Sequence, residues 1–103
     1  MDSKTFNVVV EARLEKTKKT LCLKAEEYAR GDRLSNFKQI AALMDVTPEQ
    51  ALMGLVSKHI VALFDFTKDL RAGQEQVYAR WDEKIGDVIA YMILLDAMRY
   101  NRP

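Results

Sequence analysis

The sequence predicts an all-α protein of about four helices in an antiparallel bundle, with the apolar faces turned inward and the assembly completed by homo-oligomerisation. Three observations carry this reading. Apolar residues recur at three- or four-residue steps along most of the 103 residues. One stretch carries a complete helix-start signal, and no segment alternates with the period of a strand.

The first helix is expected over about Thr5 to Ala29. Phe6, Val10, Leu14, Thr17, Leu21, Ala25 and Tyr28 form its apolar line, with Glu11, Arg13, Glu15, Lys16, Lys18 and Lys19 opposite. The β-branched run Val8-Val9-Val10 also allows a short strand at its start. Arg30-Gly31-Asp32-Arg33 breaks the pattern, because glycine accepts the left-handed conformation that ends helices.

A second helix is expected from Ser35 or Asn36 to Met44, with Ser35 as N-cap and Phe37, Ile40, Ala41 and Met44 inward. Thr47-Pro48-Glu49-Gln50 then combines an N-cap threonine, proline at the first helical position and glutamine at the capping-box position. The third helix runs from Pro48 to about Leu70. Leu52, Val56, His59, Leu63 and Phe66 line one side, and Ala51, Leu55, Lys58, Ala62, Asp65 and Asp69 the next. Ala72-Gly73 ends it.

The fourth helix is expected over about Val77 to Tyr100. Val88 to Leu95 is apolar around its whole circumference, which predicts burial on all sides in a bundle or an oligomer. Glu83 and Asp87 lie four apart, one above the other on a helix. Like charges so placed call for a cation between them: a metal, a lysine or an arginine.

Length fits one domain, residues 1–103, and the short connections suit antiparallel neighbours. With 49% hydrophobic residues, several helical faces are more apolar than one buried side requires, which favours a homo-oligomer. The net charge of +1 provides no global basic field for nucleic acid. The longest apolar run falls short of a membrane span, so a cytoplasmic protein is expected. Cys22 stands alone inside an apolar pattern, which reads as a core position and excludes an internal disulfide.

Two constellations could carry chemistry. Lys58 and His59 sit mid-helix among apolar residues, where a lysine needs a partner. Glu83 or Asp87 could be that partner in a structural ion pair; alternatively Lys58 and His59 face an anionic ligand. The second runs from Tyr28 to Phe37. Arg30 and Arg33 offer forked donors to phosphate, Asn36 an amide to a base edge, and Tyr28 and Phe37 rings to stack on it. A helix N-terminus adds oriented N–H groups. Each part also has an ordinary role as core or solvated loop. No Walker A loop, Gly-x-Gly-x-x-Gly turn or zinc-ligand spacing is present.

Glu27-Tyr28, Asp32 to Phe37, Thr47 to Leu52, Lys58-His59 and Glu83-Lys84-Ile85-Gly86-Asp87 with Tyr91 and Leu94-Leu95 together resemble a family of small bacteriophage and prophage proteins. That family is distantly similar to the MazG-like all-α nucleoside triphosphate pyrophosphohydrolases, which are oligomeric and magnesium-dependent. The resemblance implies a nucleotide ligand, and the residues of this sequence singled out to bind it are Arg30, Arg33, Asn36, Phe37, Lys58, His59 and Tyr91. It implies magnesium at Glu83 and Asp87 only if the chain is an enzyme. The family's first pair of metal-binding carboxylates has no counterpart here, and the second is spaced one residue longer. A nucleotide-binding protein without hydrolysis and without a cofactor is therefore the leading expectation. By analogy, a phage protein of this kind would sequester a host defence signal. A magnesium-dependent pyrophosphohydrolase and a helical interaction module with no small ligand are the alternatives.

Overall fold

A computed structural model describes the backbone of residues 1–24 and 31–100 and the side chains of residues 1–22 and 31–100. The expectations for Ala25, Glu27, Tyr28, Ala29 and Arg30 lie outside the described residues. The described residues form four α-helices and one π-helical segment, without a strand. The helices are α1 (Ser3–Lys18), α2 (Ser35–Met44), α3 (Pro48–Arg71) and α4 (Tyr78–Tyr100), with the π-helical segment Lys19–Lys24 after α1. By their internal contacts, Met1–Asp32 and Arg33–Pro103 are two compact units.

In the first unit, α1 begins two residues earlier than expected because Asp2 caps it. Its carboxylate accepts from the Thr5 backbone N–H at 2.8 Å. The Thr5 hydroxyl and backbone N–H together hold the Asp2 carboxyl below its ordinary range. Val8, Val9 and Val10 are helical, so the strand alternative at this point is corrected. With the Thr5 N–H capped by Asp2, the helix propagates through a stretch whose residues are only mildly unfavourable to it. The Thr17 and Thr20 hydroxyls donate to the carbonyls of Arg13 and Lys16, one turn back. Such back-bonding perturbs helical geometry, and the α-helix gives way to π-helix between these threonines. Cys22 is exposed, contrary to the core position expected for it.

In the second unit, α2 starts at Ser35, so Ser35 is the first helical residue rather than the cap; Leu34 occupies the cap position without a side-chain bond. The helix ends on Asp45 in the left-handed conformation (φ +54°), whose N–H returns to the Ala41 carbonyl. The start of α3 is as the sequence predicts. The Thr47 hydroxyl accepts from the Gln50 N–H at 3.1 Å, and the Gln50 side chain accepts from the Thr47 N–H at 2.9 Å. A cap of this kind is worth about 1 kcal/mol. After α3 the chain turns at Gly73 (φ +81°), where a side chain would be strained.

The turn makes α3 and α4 antiparallel neighbours. At one end, Arg99 from the last turn of α4 lies 3.6 Å from Glu49 in the first turn of α3. At the other, Phe66 packs edge-on against Trp81 at 5.1 Å, with the Arg80 guanidinium over the Phe66 ring. Between them Phe37 of α2, Leu52 of α3 and Met98 of α4 form the core, joined by Leu34, Leu55, Tyr91, Leu94 and Leu95. Leu52 and Val56 are fully buried. The all-round apolar stretch of α4 is not enclosed within one chain: Val88 to Tyr91 are half-buried, and Met92 and Ile93 are exposed.

Candidate functional site

The site lies where the inward line of α3 passes the inward line of α4. His59 follows Leu52 and Val56 on α3. Asp87 and Tyr91, one turn apart, share a face of α4. The antiparallel packing sets the two lines side by side. His59 Nδ1 then lies 3.3 Å from Asp87 Oδ2, and the His59 and Tyr91 ring centres are 5.6 Å apart with planes inclined at 33°. Tyr91 also meets the edge of Phe37 on α2, at 6.3 Å. A continuous row results: Phe37, Tyr91, His59, Asp87.

Burial grades along this row. Phe37 is buried, Tyr91 and His59 are half-buried, and Asp87 retains 40% of its side-chain exposure. Phe37 therefore belongs to the core, and its part in the site is to back the Tyr91 ring. The same is not true of His59, whose side chain is 20% exposed. Its Nδ1 contributes almost none of that exposure and completes no hydrogen bond, although Asp87 is within ion-pair distance. Distance alone makes the contact electrostatic; the alignment of a hydrogen bond is missing.

Three sequence expectations are corrected here. The first concerns Lys58. It is exposed, while the expected acidic partners engage other residues: Asp87 faces His59, and Glu83 faces Lys84 at 3.9 Å. Consecutive residues on a helix point about 100° apart, so only one of Lys58 and His59 can face α4, and it is His59. The second concerns a cation shared by Glu83 and Asp87, which the two separate contacts replace. The third concerns Phe37, which is buried with Tyr91 edge-on to its ring rather than lying open to a base.

Arg33 and Asn36 are exposed at the entry to α2, and Arg33 is engaged within the chain. Arg30 lies outside the described residues. The Glu49–Arg99 contact was not anticipated, although its signal is in the sequence: an acidic residue in the first turn of one helix and a basic residue in the last turn of its antiparallel neighbour. Glu49 Oε1 is buried without a hydrogen bond, while Oε2 faces Arg99.

Magnesium requires several oxygen ligands in near-octahedral order. Among the described residues no three His, Cys, Asp or Glu side chains come together around one point. Glu83 faces the Lys84 ammonium and Asp87 faces the His59 ring, so the two carboxylates do not converge on one point where the metal would sit. No helix of the described residues is long and apolar enough to cross a membrane.

No family model matches this chain, and no curated protein or solved structure is significantly similar to it.

Proposed function

We propose that the protein binds a phosphorylated nucleotide, without hydrolysing it, on the face of the second unit that carries His59. The observation behind this reading is the convergence of Phe37, His59 and Tyr91 with Asp87, from three helices, into one row that ends at the surface. A partly exposed imidazole beside a tyrosine ring can meet a polar ligand group, and the neighbouring Lys58 ammonium is exposed to take a phosphate. The resemblance to the nucleotide-processing family supplies the ligand class. The sequence's departure from the family's two carboxylate pairs is what favours binding over metal-assisted hydrolysis.

The test is a thermal-shift series with mono-, di-, tri- and cyclic nucleotides, with and without EDTA. The expected result is a stabilisation that survives EDTA, with the nucleotide recovered intact. Lys58→Ala should remove most of that shift and change the melting of the free protein little, because an exposed side chain away from special features contributes within about 0.5 kcal/mol. A shift that needs magnesium, with pyrophosphate released, would establish the enzyme instead. No shift with any nucleotide would reject both.

A second reading, a helical interaction module that self-associates, is favoured by a different observation. Along α3, Met53, Val61 and Phe64 are exposed, Phe64 by 63%; on α4, Met92 and Ile93 are exposed as well. On α1, Phe6, Val8, Val9, Val10 and Leu14 are exposed. Burial of such side chains drives association. Sedimentation equilibrium at tens of micromolar protein should give a mass that is a multiple of the single chain. Phe64→Asp should reduce it. A monomer throughout that range rejects self-association.

A further inference from the structure

The contact between His59 and Asp87 has a consequence for which ring nitrogen the protein offers outward. Nδ1 is shielded from solvent and its neighbour at 3.3 Å is a carboxylate oxygen. In the one-proton form of the ring, a lone pair on Nδ1 would face the lone pairs of Asp87 in a partly desolvated place. A proton on Nδ1 turns that repulsion into attraction. The other nitrogen, Nε2, is then left with its lone pair. The 20% exposure of the side chain belongs to its other atoms, since Nδ1 has almost none. Tyr91 packs on the ring at 5.6 Å and limits its reorientation.

We propose that Asp87 is a positioning residue that holds the His59 proton on Nδ1, so that Nε2 is a hydrogen-bond acceptor for a ligand group that donates. On the nucleotide reading, on which this ligand assignment rests, the donor is a ribose hydroxyl. The phosphate, which has no proton to give in its fully ionised form, goes to the Lys58 ammonium. The site thereby recognises the sugar as well as the charge. His59 acts as a reader of the sugar and not as a second phosphate anchor.

His59 is the only histidine in the chain, so its nitrogen signals need no assignment. Long-range proton–nitrogen correlation spectra of the whole protein, in the one-proton form of the ring, should show Nδ1 protonated and Nε2 bare. Asp87→Ala removes the acceptor beside Nδ1, and the population should move towards the Nε2–H tautomer. A wild-type spectrum with Nε2 protonated overturns the assignment, whatever the variant does. An unchanged tautomer in a folded Asp87→Ala protein overturns the role of Asp87.

The ligand is tested with adenosine 5′-monophosphate and its 2′,3′-dideoxy analogue. Loss of the hydroxyl donors should weaken binding about tenfold, the effect of losing one well-made hydrogen bond. Equal affinities overturn the assignment of the ribose. If no nucleotide binds, the nucleotide reading fails and takes the ribose with it, while the nitrogen spectra still decide what Asp87 does to His59.

Discussion

Leu52→Ala is expected to lower the unfolding free energy of the second unit by about 2–5 kcal/mol, the range for deleting a fully buried leucine side chain. Leu52 has no exposed surface and packs with Phe37 and Met98, so it touches the place where three helices meet. Two contributions add: the apolar transfer energy of the lost atoms and the cavity they leave. The wall of that cavity comes from separate helices, and closing it would require α2 or α4 to shift. Equilibrium urea unfolding followed by circular dichroism measures the change. With total stabilities of small domains at about 5–15 kcal/mol, the midpoint should fall sharply. A change below about 1 kcal/mol would mean that this cluster is not the centre of the unit.

Phe37→Ala is expected to cost about 3–5 kcal/mol, by loss of a buried aromatic side chain. Phe37 is the residue that α2 contributes to the buried cluster, and its ring backs Tyr91 edge-to-face. Its removal should therefore do two things: loosen α2 from α3 and α4, and free the Tyr91 ring that lies against His59. Phe37→Leu separates these effects. It keeps most of the apolar volume and should retain more stability than Phe37→Ala, yet it removes the ring that fixes Tyr91. Urea unfolding reads the first effect and the near-ultraviolet circular dichroism of the tyrosines reads the second. If Phe37→Ala unfolds at the wild-type midpoint, the aromatic is a ligand platform and not a core residue. Leu52 and Phe37 pack in one buried cluster, so the combined effect of the two substitutions should depart from the sum of the two.

The helices of this protein are legible in its sequence because their signals are local. Thr47-Pro48-Glu49-Gln50 satisfies the exposed N–H groups of a helix start with its own side chains, and it does so in the structure at the predicted residues. The three-and-four spacing of Leu52, Val56 and Phe66 likewise places all three on the buried face of α3. Boundaries near Ser3 and Ser35 shifted by one or two residues, because a cap depends on the backbone angle of one residue and not on its type alone.

The site was only partly legible. His59, Tyr91, Asp87 and Phe37 could each be singled out by residue type, but their roles could not be assigned from type. Lys58 and His59 are adjacent in the chain, and the roughly 100° between them on a helix decides which one meets Asp87. That choice depends on the rotation of α3 against α4, a property of the whole packed interface. The same rotation buries Phe37 behind Tyr91 and leaves Met92 and Ile93 exposed on α4, although both lie within an apolar run. Hydrophobic periodicity and capping thus determine that this chain makes helices and roughly where they start and stop. Only the packing of one helix on another decided which polar side chains meet, because the distances between them are set by residues far apart in the sequence.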